Sequence, residues 1–318
     1  LFFNDKLFKK RIFLFTEMKK ENVVPTISMA IIFALIYALS LISVKPFEIA
    51  NVKAFEDPKD PFNVFVFLVT LLSITAIVLF ISKFWKKEIV YLFFLFAIAI
   101  TATYALYPFL AYVLENTLAI PLATFISIFI VFLLIKRPEW YVIDACCTII
   151  SIGAITIFGL SLSIPLVILL LVILAVYDAI AVYKTKHMID LADTVVEMKV
   201  PVLFVIPKRL PYSFIKERRL KEKKERDAFF IGVGDVVVPG ILIVSTYHFT
   251  GELLISISTA LGIIFSFFIL MYLVSKGDAQ PGLPFLNSGA VAGYVLSSLI
   301  LHGNLSGFTL TPYHILCI

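Results

Sequence analysis

Phe230–Gly240 reads FIGVGDVVVPG, a run of apolar and small residues interrupted by one carboxylate, Asp235. What that carboxylate means depends on the medium around it, and composition identifies the medium. With 61% hydrophobic residues, a mean hydropathy of +1.02 and only 15% charged residues, the chain is far from the balance of a soluble domain. It belongs in a bilayer. The net charge of +5 does not indicate a nucleic-acid partner, because the Lys and Arg residues sit between apolar runs and not along one amphipathic face. Cys146 and Cys147 are adjacent within an apolar run and Cys317 lies far from both, so no metal spacing, redox pair or disulfide framework can be read. No metal or cofactor is expected. The opening LFFNDKLFKKRIFLF lacks a small-residue cleavage site and reads as an interfacial basic segment, not a signal peptide.

Around this stretch, apolar runs of near 20 residues, the length that crosses about 30 Å of hydrocarbon, recur along the chain. They fall at 26–44, 62–82, 89–110, 118–135, 140–159, 164–183, 228–247, 252–274 and 281–301. The expected fold is an all-α integral membrane protein with nine transmembrane helices. Its parts are a cytoplasmic basic segment (1–25), spans 1–6 (26–183), a cytoplasmic loop (184–227), spans 7–9 (228–301) and an extracytoplasmic tail (302–318). Of the 27 Lys and Arg residues, 24 lie in the N-terminal segment and the loops after spans 2, 4, 6 and 8; the other 3 follow span 1. The positive-inside rule then puts the N-terminus in the cytoplasm and the C-terminus outside. Without the long 184–227 loop the split is still 12 to 3.

That loop has two parts. HMIDLADTVVEMKVPVLFVIP alternates acidic and apolar residues before an extended, Pro-bounded VPVLFVIP, and KRLPYSFIKERRLKEKKERD is a charge run with the composition of a solvated linker.

Each ionisable residue inside a span costs about 2.5–3.5 kcal/mol on insertion scales and asks for a reason. Three aspartates qualify. Asp144, four residues after Trp140 near the cytoplasmic end of span 5, can snorkel or meet Lys136 or Arg137. Asp178, in LAVYDAIAVY, lies five residues, about 8 Å, from the cytoplasmic end of span 6, and Asp235 lies seven residues, about 10 Å, below the same surface in span 7. Their depths match.

Two carboxylates at one depth on antiparallel, consecutive helices can share one proton. The ionised member then takes a proton from an attacking water while the protonated member hydrogen-bonds the peptide carbonyl, with neither metal nor covalent intermediate. Gly232 and Gly234 suit such a site, since a backbone without Cβ admits an extended substrate and loosens the helix before Asp235; Pro239 extends the distortion. Spacing alone leaves a second reading open, a proton-relay or ion-coupling pair in a transporter.

Tyr177-Asp178 in span 6, Gly232-Val233-Gly234-Asp235 in span 7 and AQPGLP at 279–284 opening span 9 resemble the YD, GxGD and PAL motifs of the presenilin and signal peptide peptidase family of intramembrane aspartyl proteases. Their order and span assignments agree, and the resemblance in architecture covers the nine-span chain, most like the compact archaeal presenilin homologues. It implies a presenilin-like fold in a prokaryotic cell membrane, with transmembrane-helix proteins as substrates. It also implies that Asp178 and Asp235 are the catalytic dyad, that Tyr177 lines the site, and that Pro281, Gly282 and Leu283 shape it from the cytoplasmic end of span 9. The departure is Gly282, where the family usually has Ala. By the same analogy VPVLFVIP or residues near it can pair with an unwound substrate strand. A homo-oligomer is compatible with the sequence, and no obligatory partner subunit is evident.

The residues around Gly289 and Gly293 also read as a small-residue packing face. Other chemistries fit less well. Ser288 has no intramembrane His to activate it, HExxH is absent, and His187, His248, His302 and His314 are scattered at loops and span ends. A prepilin-type peptidase shares GxGD but not the order of the three motifs. A transporter would be supported by inverted repeats, and none can be seen. Asn304-Leu305-Ser306 is a sequon on the expected outer face.

Overall fold

The structure, a computed structural model, describes residues 20–84, 87–185, 201–208, 228–275 and 280–308. The basic N-terminal segment up to residue 19, most of the 184–227 loop with its charge run, and the tail beyond 308 lie outside the described residues.

Nine α-helices are described: α1 (Lys20–Ile49), α2 (Phe62–Phe84), α3 (Lys87–Val113), α4 (Asn116–Lys136), α5 (Trp140–Ser161), α6 (Ile164–Ile180), α7 (Val233–Thr250), α8 (Leu253–Ser275) and α9 (Gly282–His302). Eight carry stretches long and apolar enough to cross a membrane, and α2 contributes the shorter Phe62–Ile77. The connections between α4 and α5, α5 and α6, and α7 and α8 are only two or three residues long, which forces antiparallel neighbours. Local chemistry sets several ends. Pro165 stands in the first turn of α6, where its missing N–H costs nothing. Gly251 and Gly303, at φ +71° and +69°, close α7 and α9 in the left-handed conformation that an L side chain resists.

The helix carrying Asp235 is the centre of the bundle. From Val236 to Thr246 every residue of α7 except Val237 is buried, and the helix packs against α1, α5, α6, α8 and α9. A helix apolar all round is a helix buried all round. The outer helices show the reverse: Leu92 and Phe96 of α3 and Phe125 and Ile128 of α4 are exposed, as lipid-facing residues are. The most intimate pair is α8 with α9. A Cβ on Gly293 would lie 2.9 Å from Thr259 Cα, and one on Gly262 would lie 3.1 Å from Gly293 Cα, so these positions admit only hydrogen. The small-residue face read from Gly289 and Gly293 is this contact.

Two features depart from the sequence reading. The apolar Ala228–Gly232, expected to open span 7, is a strand (β2) pairing antiparallel with Leu203–Pro207 (β1), from Leu203↔Gly232 to Pro207↔Ala228. The helix of span 7 therefore starts at Val233, and Asp235 stands in its first turn instead of seven residues into a helix. The second feature follows α6, whose last turn loosens into a π-helix over Ala181–Thr185, a form common beside functional sites.

Candidate active site

The stretch Phe230–Gly240 changes structure in its middle. Phe230-Ile231-Gly232 ends β2, Gly232 is the N-cap of α7 with an extended backbone (φ −62°, ψ 138°), and Asp235 is the third helical residue. A carboxylate at that position can turn back on the cap, and the Gly232 backbone N–H hydrogen-bonds to Asp235. A Cβ on Gly232 would lie only 3.3 Å from Asp235 Oδ2, so the glycine makes room for the carboxylate itself. Gly234 is exposed with nothing within 4 Å of a Cβ position, so its backbone is open to approach from outside. Pro239 has no N–H to offer the Asp235 carbonyl one turn back. Beside it, the buried Tyr37 hydroxyl of α1 donates to the Val236 carbonyl at 3.3 Å, a contact that sequence spacing could not disclose.

Asp178 is 6% exposed near the end of α6. Its Oδ2 accepts the Leu283 backbone N–H at 3.1 Å, and the Gly282 N–H bonds to the same carboxylate. These are the first two N–H groups of α9, capped by the buried Pro281, and they have no partner inside their own helix. Gly282 also faces the other aspartate: a Cβ there would lie 3.1 Å from Asp235 Cγ and Oδ1. One backbone position of α9 thus touches both carboxylates. Two helix N-termini, those of α7 and α9, converge on the pair and present the positive ends of their dipoles to it.

Pro281, Gly282 and Leu283 are therefore brought together with Asp178, Asp235 and Gly232. Tyr177, next to Asp178 in sequence, is 51% exposed. Tyr183, six residues on, binds Gln280 Oε1 through its hydroxyl at 3.1 Å, and Asn287 donates to the Leu171 carbonyl at 2.8 Å, so α6 and α9 are tied above and below the carboxylates. Between these helices runs a groove of about 620 Å³, lined mainly by apolar side chains such as Val172, Val176 and Val291.

Asp144 corrects the sequence reading. It is 8% exposed and does not snorkel; its Oδ1 accepts the Val205 N–H at 2.8 Å, and among the described residues it meets no cation and its Oδ2 has no partner. Lys136 instead places its ammonium over the Phe132 ring. Within VPVLFVIP, Leu203–Pro207 pairs with β2 on one edge and is bonded by α5 on the other, and among the described residues the far edge of β2 carries no further strand.

The family described as signal-peptide peptidase, presenilin aspartyl protease matches residues 29–302. A solved structure of a presenilin family intramembrane aspartate protease in the C222 space group is 30% identical, with a TM-score of 0.67, covering 87% of this chain and 99% of that chain. Another, in the P2 space group, is 30% identical with a TM-score of 0.66, covering 86% and 97%. No curated protein matches the chain. The coupled-transporter alternative gains no support from these likenesses. With nine apolar helices among its described residues, two carboxylates on α6 and α7 and this match across most of its length, the chain belongs to the signal-peptide peptidase and presenilin family of intramembrane aspartyl proteases.

Proposed function

We propose that Asp178 and Asp235 are the pair with which this protease hydrolyses peptide bonds in transmembrane helices of its substrates. The observation that carries the reading is the convergence of both carboxylates on Gly282 at the start of α9. Close carboxylates share a proton. The ionised one takes a proton from water as the water oxygen attacks the peptide carbon, and the other gives its proton to the carbonyl oxygen. The tetrahedral diol then collapses: the C–N bond breaks, the amine leaves with a proton from the pair, and a carboxyl group remains on the other fragment. The N–H groups of Gly282, Leu283 and Gly232 hold the two carboxylates in place while protons move between them and the substrate.

A substrate helix hides its carbonyls in its own hydrogen bonds and must unwind before water can reach one. The exposed Gly234 and the α6–α9 groove offer the unwound segment a backbone without side chain and an apolar bed. The proposed orientation puts the N-terminus in the cytoplasm and the C-terminus outside, in a prokaryotic cell membrane. The chain itself supplies both carboxylates and both helix N-termini, so the reading requires no partner subunit, and self-association is compatible with it. The test is hydrolysis of a transmembrane peptide by the purified chain in a bilayer, with each aspartate replaced in turn. Cleavage requires both carboxyls, and sustained cleavage by a purified single variant would refute the assignment.

A further inference from the structure

We propose that Asp144, a carboxylate the hydrolytic cycle does not use, is a positioning residue that fixes Asp235 through the β1–β2 hairpin; the inference rests on the dyad reading above. Asp144 is the fifth residue of α5 and accepts the Val205 N–H at 2.8 Å. Cys147, three residues on and so on the same helix face, donates its thiol to the Leu203 carbonyl at 3.7 Å. In a strand the N–H and C=O of alternate residues point to opposite edges. Leu203 and Val205 face α5, whereas Val202, on the other edge, accepts the Val233 N–H at 3.0 Å. α5 thus stands where a third strand would, with one acceptor and one donor at the spacing that β1 requires.

The linkage to the dyad runs through backbone. Val205 is held by Asp144; β1 sets the register of β2; the last Cα pair is Leu203↔Gly232, and the Val233 bond to Val202 carries the ladder into the first helical residue of α7. Gly232 and Val233 are the cap and first residue of the helix whose third residue is Asp235. Apolar burial alone would keep the hairpin docked, since Phe204, Val205 and Ile206 are buried. It is non-directional and does not fix where along α5 the strand rests. A hydrogen bond to one N–H does. That division of labour gives a buried carboxylate, one oxygen bonded to Val205 and the other without a partner among the described residues, a purpose beyond stability.

The test uses the full chain in a bilayer and a transmembrane peptide substrate, reading kcat and KM together with amide exchange at Val205 and Val233. Asp144→Asn keeps an oxygen acceptor and is expected to hold kcat within about threefold. Asp144→Leu keeps the bulk without the acceptor; kcat is expected to fall at least about tenfold with KM little changed, and both amides to exchange faster. Should Asp144→Leu fail to fold, a backbone amide-to-ester replacement at position 205 removes the donor alone and is expected to reproduce the kcat loss. Full kcat after removal of either partner, or a loss in Asp144→Asn as large as in Asp144→Leu, overturns the positioning role while leaving the dyad intact. Activity in the Asp178→Asn or Asp235→Asn variants overturns the dyad and this proposal with it.

Discussion

Leu283 donates its backbone N–H to Oδ2 of Asp178 across 3.1 Å, joining residues 105 positions apart. The bond makes the start of α9 part of the proposed catalytic centre. Proline at 281 and glycine at 282 do not act through side-chain chemistry: the first ends the extended segment as a helix cap, and the second leaves space for Asp235. A motif that reads as a helix breaker in sequence is, in the fold, a holder for two carboxylates.

Asp178→Asn and Asp235→Asn should each reduce proteolysis by at least about a thousandfold, since removal of general acid–base participation costs about 10²–10⁴ and the pair works as a unit. Both proteins should remain inserted and thermally stable. Turnover of a transmembrane peptide, quantified by mass spectrometry, is the measurement; a variant within tenfold of the parent would contradict the assignment.

Activity against pH should be bell-shaped. At low pH both carboxyls are protonated and no base is left; at high pH both are ionised and no proton is left for the carbonyl. The two limbs belong to the coupled pair. A flat kcat/KM profile over the range in which the protein stays folded, with cleavage rate-limiting, would argue against a shared proton.

Gly282→Ala should retain activity within about tenfold, while Gly282→Val should lose it. The alanine Cβ lies 3.1 Å from Asp235 Cγ, close enough that the carboxylate shifts by a few tenths of an ångström, and no left-handed backbone has to be maintained. Valine adds two methyl groups between the carboxylates. Paired measurements of kcat and melting temperature decide the matter, and an active Gly282→Val protein would show that the carboxylates do not meet at this position.

Gly262→Leu should destabilise the bundle by about 1–3 kcal/mol or more without touching the dyad, because the backbones of α8 and α9 approach where that side chain would go. Thermal unfolding in detergent is the readout. An unchanged midpoint would mean that the two helices can separate at no cost.

Cleavage should fall in the cytoplasmic half of the substrate span, be promoted by Gly, Pro or polar residues near the scissile bond, and favour substrates with their N-terminus outside. Matched peptides of opposite orientation, reconstituted with oriented enzyme, test this. Preferential cutting of the N-inside peptide would reverse the proposed topology.

The spans and the carboxylate pair could be read from sequence because each rests on a strong local signal: apolar runs of bilayer length, and charges placed where they are costly. The start of span 7 could not. Ala228-Phe229-Phe230-Ile231 is apolar and short, and periodicity does not separate a buried strand from a helix turn over so few residues. What decides it is the partner, Leu203–Pro207, across a long stretch of chain. The true surroundings of Asp144 were hidden for the same reason. Lys136 and Arg137 are near in sequence, whereas the Val205 N–H that it binds is 61 residues away.

The central helix has a consequence for how the protein is made. α7 and α9 are the least apolar of the eight qualifying spans, and α7 is the most enclosed by protein. On its own it would partition weakly into lipid, and its Asp235 would meet hydrocarbon unpaired. The six helices before it emerge from the ribosome first and contribute walls from α1, α5 and α6, while α8 and α9 supply the rest only afterwards. The helix carrying Asp235 therefore enters the membrane half-sheltered, and its lodging there is completed by α8 and α9, which follow it.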